Sequence, residues 1–180
     1  MRSTAGARRS DAAREALGHF ARGGFDGTPV SAVADALGVS QPYLFKLFGS
    51  KTGLFVACVE LCYDLIEANA RARLTAAEAA GRPGSLDDIG DAFRTTIADA
   101  DLLAFQLQAW AASASHPGQP EIREVVSRRL RTSLELSREL TGAGADEVNE
   151  MFARGTRLVV TTALGIRLLD DEPDAGSPSR

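Results

Sequence analysis

Apolar residues recur along this chain three and four positions apart, the spacing of one helix face, and no stretch keeps the strict alternation of a half-buried strand. The first such stripe starts near Ser10 and carries Ala13, Leu17, Phe20 and Ala21 before Gly23-Gly24 interrupts it. Thr28-Pro29 reads as a cap followed by a first-turn proline, opening a helix with Val30, Val33 and Leu37 inward and Gly38 at its end. Ser40 caps the next helix, where Pro42 is tolerated because first-turn N–H groups have no intrahelical partner. Leu44, Leu47 and Phe48 form its inner face, and Gly49-Ser50 breaks it.

A long helix follows from Lys51 to about Ala80, with Leu54, Cys58, Leu61, Leu65 and Ala68 on its stripe. After the break at Gly81-Arg82-Pro83-Gly84, Ser85 caps a helix that turns Ile89, Phe93 and Ile97 inward, with Asp87 and Asp88 favouring its dipole. Asp101 is expected to cap the next helix. There Leu102, Leu103, Phe105, Leu107 and Trp110 leave little polar face, as in a helix buried on most sides. His116 to Pro120 form a loop, and two helices remain, Glu121–Leu140 and Asp146–Leu169. The tail, residues 171–180, is rich in Pro, Gly and Ser and is expected to be disordered. The fold class is all-α.

Residues 30–49 meet the steric demands of a helix-turn-helix. The helices cross closely, so one position on the first must be small, and Ala34 supplies it. Four residues on, the turn needs a left-handed backbone, which Gly38 adopts at little cost. Val33, Leu37, Val39, Leu44 and Leu47 fill the small shared core. Charge supports this reading. The net charge is −4, yet residues 1–51 hold seven basic residues against four acidic ones, and both lysines, Lys46 and Lys51, fall there. Such a front end suits a polyanion, while the acidic body does not.

These residues resemble the tetracycline-repressor (TetR) family of bacterial transcription regulators over roughly Arg9 to Val59. The likeness rests on Leu17-Gly18-His19-Phe20-Ala21, Gly24-Phe25, Thr28, the run from Val33 to Ser40, Leu44, Phe48 and Ser50-Lys51. It implies an N-terminal three-helix helix-turn-helix DNA-binding domain (residues 1–50) and a C-terminal helical ligand-binding and dimerisation domain (51–170). It also implies a two-fold dimer and a small-molecule ligand that weakens DNA binding. Where the family often has a phosphate-binding tyrosine and, two places on, a histidine, this chain has Phe45 and Leu47, so that phosphate role is not carried over. Tyr43 is a candidate replacement hydroxyl.

N-terminal residues of a recognition helix reach base edges while flanking groups hold phosphates. Gln41 is then an adenine reader, with Ser40, Pro42 and Tyr43 beside it. Lys46 and Lys51 are phosphate candidates, Lys51 at a helix N-terminus, and Thr28 offers another helix N-terminus and a hydroxyl. Arg8 and Arg9 read as an arm adding sequence-independent attraction.

In the body, Gln106 and Gln108 among the apolar residues of the helix after Asp101 suggest a cavity rather than a filled core. Leu61, Leu65, Phe93, Phe105, Gln106, Trp110, Met151 and Phe152 are its expected lining, for an apolar or aromatic ligand of unknown identity. The almost uniformly apolar run Leu158 to Ile166 points to a homodimer through 121–140 and 146–169. Cys58 and Cys62 match no zinc pattern and read as small buried hydrophobes, and His19 and His116 as packing or surface residues. No cofactor, metal or catalytic residue is expected. With no apolar run long enough to span a bilayer, and none behind the arginine-rich start, the expected location is cytoplasmic. The expected function is a ligand-responsive transcriptional regulator, a repressor on a palindromic operator. Its rivals are a helical carrier or enzyme without DNA binding, and a constitutive DNA-binding dimer without ligand.

Overall fold

Side-chain caps set where several of the helices begin. The protein is described as a computed structural model covering residues 5–167. Eight α-helices and no strand are found among those residues. They are α1 (Ala5–Gly27), α2 (Val30–Ala36), α3 (Gln41–Phe48), α4 (Lys51–Ala79), α5 (Leu86–Ile97), α6 (Ala100–Ser115), α7 (Pro120–Thr141) and α8 (Ala145–Leu164). The fold is all-helical, as the spacing predicts; the tail, residues 171–180, lies outside the described residues. Ser40, Ser50 and Ser85 accept the N–H groups of Tyr43, Gly53 and Asp88. The α6 cap is Asp99, not Asp101. Its carboxylate accepts from the N–H groups of Asp101 at 2.9 Å and Leu102 at 3.1 Å, while Asp101 pairs with Arg22 of α1 at 3.3 Å.

Helix α1 begins earlier than Ser10, passes Gly23 and is interrupted at Gly24 (φ 67°, ψ −176°) before a last turn ends at Gly27. Two side chains need the glycines. A Cβ on Gly23 would lie 2.6 Å from the Thr28 hydroxyl, and one on Gly24 would lie 2.9 Å from Gln108 Oε1. Gln108 therefore serves the joint between α6 and α1.

The main core packs α1 against α4 and α6 around Phe55. Phe20 and Phe25 meet its ring edge-on at 5.0 and 5.2 Å, and Phe105 lies tilted at 5.3 Å. Such pairs add about 0.5–1.5 kcal/mol each beyond their burial. A second, smaller core holds Ala70, Leu74, Ile89 and Ala92, so α4 runs through both. Burial on α4 consequently departs from one stripe. Leu54 and Cys58 are buried, Leu61 and Leu65 half-buried and Ala68 exposed, while Phe55, Val59, Cys62 and Tyr63 are buried instead.

Arg129 of α7 ties that helix to α4. Its guanidinium lies 3.2 Å from Glu60, 2.7 Å from Asp64 and 3.1 Å from Glu67. Helix α8 stops at Gly165 (φ 63°) rather than continuing to Leu169. Val159 is fully buried in its own chain, whereas Val160, Leu164 and Ile166 are exposed.

Candidate functional site

The turn between α2 and α3 is closed by backbone bonds that only a left-handed residue permits. Gly38 (φ 64°) donates to Asp35 O at 3.1 Å and Val39 to Ala34 O at 3.0 Å, a Schellman ending of α2. Leu44 and Phe48 anchor α3 inward. Gln41, Pro42, Phe45 and Lys46 share its outer face, all exposed, with Tyr43 half-buried beside them. Ser40 is exposed too, with its oxygen occupied as the α3 cap.

Other sequence-derived candidates are turned toward protein. Thr28 is buried, and its hydroxyl donates to Gly24 O at 2.8 Å and His19 O at 3.1 Å rather than facing a phosphate. Lys51 is half-buried, donates to Asp26 O at 3.0 Å and sits over the Phe25 ring at 5.2 Å; burial lowers its pKa, against the pull of Asp26. Arg9 donates to Leu47 O and lies 4.4 Å from the Phe48 ring centroid, which clamps α1 onto the end of α3. Arg8 is exposed within the first turns of α1, a helix rather than a loose arm. A carbonyl or ring brought near by the fold captures a cation as well as a phosphate does, and sequence does not separate the two.

A second feature lies between α4, α5, α6, α7 and α8: a cavity of about 510 Å³. Phe93, Gln106, Trp110, Met151 and Phe152 line it together, joined by Tyr63, Ile66 and Leu134. Phe105 does not, being part of the core around Phe55, and neither do Leu61 and Leu65. Gln106 is 8% exposed and its amide bonds no described residue, while the Tyr63 hydroxyl is fully buried without a hydrogen-bond partner. Burial pushes Tyr63 up to about 12, with the neighbouring Trp110 indole pulling the other way. Asp87, Asp91, Arg94, Arg154 and Arg157 also line the cavity, as exposed residues of α5 and α8.

Residues 11–58, which contain this helix-turn-helix, match the model of the bacterial regulatory proteins of the tetR family. Over those residues the chain is similar to the DNA-binding region of TetR-family transcription regulators. Its fold is similar to that of a protein described as a transcriptional regulator from Pseudomonas aeruginosa, with 19% identity, a TM-score of 0.63, and coverage of 91% of this chain and 82% of the other. It is also similar to one described as a TetR-family transcriptional regulator from Mesorhizobium loti, with 18% identity, a TM-score of 0.52, and coverage of 94% and 75%. At such identities the likeness is one of fold. Comparison with curated proteins gave no match.

Phe45 is absent from the DNA-contact candidates read from the sequence. It lacks the hydroxyl that the family's phosphate-binding tyrosine carries. In the structure it is 38% exposed, one turn after Gln41 on the same face. The available signal was its spacing from Gln41. Cys58 and Cys62 are buried, and burial raises both thiols, Cys62 to about 12, as befits inert packing residues. No helix among the described residues is long and apolar enough to cross a membrane.

Proposed function

We propose that this regulator is a ligand-responsive repressor that binds a palindromic operator as a homodimer in the cytoplasm. The observation that carries the reading is the outer face of α3. Gln41, Pro42, Phe45 and Lys46 stand free on a helix anchored from behind. Gln41 reads adenine through its amide, Phe45 packs its ring on a thymine methyl, and Tyr43 and Lys46 hold phosphate oxygens. Ser40 and Pro42 set the helix start against the groove wall. Arg8 adds long-range attraction, and Arg9, Lys51 and Thr28 act as struts that fix the reader's orientation. Residues 1–50 form the reader and 51–170 the regulatory and dimerisation body.

The dimer forms through α7 and α8, where Leu140, Val160, Leu164 and Ile166 remain exposed and apolar. A Cβ on Gly155 would lie 3.5 Å from the Phe93 ring, so this glycine of α8 faces its own chain. Readers must sit about 34–36 Å apart to enter successive major grooves. The cavity touches α4, which continues to the base of α3, so a ligand that favours another spacing lowers DNA affinity by its differential affinity for the two states. The test is enrichment of bound duplexes from a random pool. The expected product is a palindrome with half-site centres about one helical turn apart and an affinity that falls with salt. A pool left unenriched overturns the reading.

A further inference from the structure

The cavity offers hydrogen bonds of a particular kind. The Tyr63 hydroxyl is buried without a hydrogen-bond partner, and Gln106, 8% exposed, lines the same cavity with its amide unbonded to any described residue. Leaving such groups unsatisfied is costly, and a carboxamide presents both donors and an acceptor. Other polar side chains of the lining are committed elsewhere. Ser133 donates to Glu67 at 2.8 Å, Ser137 to Ser133 O at 2.8 Å and Thr161 to Leu158 O at 3.2 Å. Beside Gln106 and Tyr63 the wall is Trp110, Ile66 and Leu130.

The charged lining residues lie on exposed parts of α5 and α8, away from the elements that carry Gln106 and Tyr63, and Arg157 among them has no ion pair with a described residue. Arg154 lies 3.9 Å from Asp87, Arg94 lies 3.9 Å from Asp91, and Arg73 lies 3.4 Å from Asp91. No ionised side chain among the lining residues of α4, α6 and α7 faces an ionised ligand group. At that end of the cavity an ionised group would be buried without a counter-charge.

We infer that the cavity takes a molecule with an apolar, ring-sized body and one uncharged hydrogen-bonding head, a phenol or carbonyl, seated between Gln106 and Tyr63. This rests on the ligand-responsive reading above and adds the chemistry of the head group. A phenol satisfies both faces of the Gln106 amide, donating to its oxygen and accepting from its nitrogen. Tyr63 donates to the same oxygen of the ligand. A pure hydrocarbon leaves both side chains unpaired, and a carboxylate brings a charge without a partner.

Trp110 is the single tryptophan and lines the cavity, so its emission reports occupancy without a label. The full chain is titrated at pH 7 with naphthalene, 2-naphthol and 2-naphthoate. The expected order is 2-naphthol tightest, naphthalene weaker by about ten-fold, the effect of one or two net hydrogen bonds, and 2-naphthoate weakest. Gln106→Leu should erase the preference of 2-naphthol over naphthalene, with naphthalene bound at least as tightly as by the parent and the far-UV circular dichroism unchanged. Equal binding of naphthalene and 2-naphthol, or preference for 2-naphthoate, overturns the uncharged head and leaves ligand binding standing. Persistence of the preference in Gln106→Leu overturns the assignment to Gln106. Silence of all three probes overturns the proposed ligand class, and duplex enrichment then decides separately whether the DNA reading survives.

Discussion

If the proposed dimer forms through α8, Leu164→Arg should convert it to monomer without unfolding the chain. Leu164 ends α8 at 65% exposed, and Val160, one turn earlier, is 44% exposed. Fully burying a leucine side chain is worth about 1.5–3 kcal/mol, so covering the exposed share of Leu164 contributes about 1–2 kcal/mol. A two-fold interface counts it twice, giving about 2–4 kcal/mol per dimer, and the inserted guanidinium adds a desolvation cost. The dimer Kd should therefore rise at least 30-fold to 1000-fold, roughly. Sedimentation equilibrium across a concentration series measures this, with circular dichroism confirming the helical content. Val159→Glu is the control. Its side chain is fully buried within its own chain, so the charge should destabilise the protomer itself. A Leu164→Arg variant that dimerises with the parental Kd refutes the interface.

Gly53→Ala should lower stability although alanine is the better helix former by about 1 kcal/mol. The new Cβ would lie 2.0 Å from the Phe48 carbonyl oxygen, and relieving that overlap should cost about 3 kcal/mol, a Tm lower by roughly 6–12 °C in a melting scan. Asp88 closes the α5 capping box and pairs with Arg82 at 2.5 Å, and the Arg82 guanidinium with the Ser85 hydrogen bonds holds its carboxyl well below the usual carboxylate range. That stability is present above the unfolded pKa of about 4 and is lost as pH falls through the folded value. Asp88→Asn should thus melt lower than the parent at pH 7, the gap closing as pH drops below about 4 in paired melting curves. Lys46→Ala should flatten the salt dependence of DNA binding by about one counterion for each phosphate contact, whereas Lys51→Ala should keep the parental slope and lower the Tm, because its ammonium is engaged by Asp26 O.

The helix-turn-helix was legible because its constraints are local and redundant. Ala34, Gly38 and the Ser40 cap each specify backbone within a few residues, and the structure uses them all. The direction of a long cation is not local. Arg9, Lys51 and Thr28 carried the right chemistry for phosphate, and a carbonyl or ring from another helix holds each of them. The two glutamines of α6 show the same limit. Gln106 and Gln108 sit two residues apart, so they face different neighbours, one the cavity and the other the end of α1. Leu61, Leu65 and Phe105 fell outside the cavity because α4 and α6 are each packed on several sides, where one stripe no longer predicts which face meets which neighbour. On α8, continuous apolarity announced a buried helix without distinguishing Val159, covered by its own chain, from Val160.

The outer face of α3 is proposed to read base edges. Its most direct test is a base-substitution scan of the enriched duplex, in which equilibrium affinities for every single-base variant are measured with the parent, Gln41→Ala and Phe45→Ala. Deoxyuridine is included in place of each thymine. Each variant should lose discrimination at one base pair and at its two-fold mate, costing Gln41→Ala about 1–3 kcal/mol on the preferred site. Phe45→Ala should lose the parent's sensitivity to one thymine methyl, an effect of about four-fold for a single buried carbon. Parental discrimination profiles in both variants, at whatever overall affinity, would contradict the assignment of this face to the major groove.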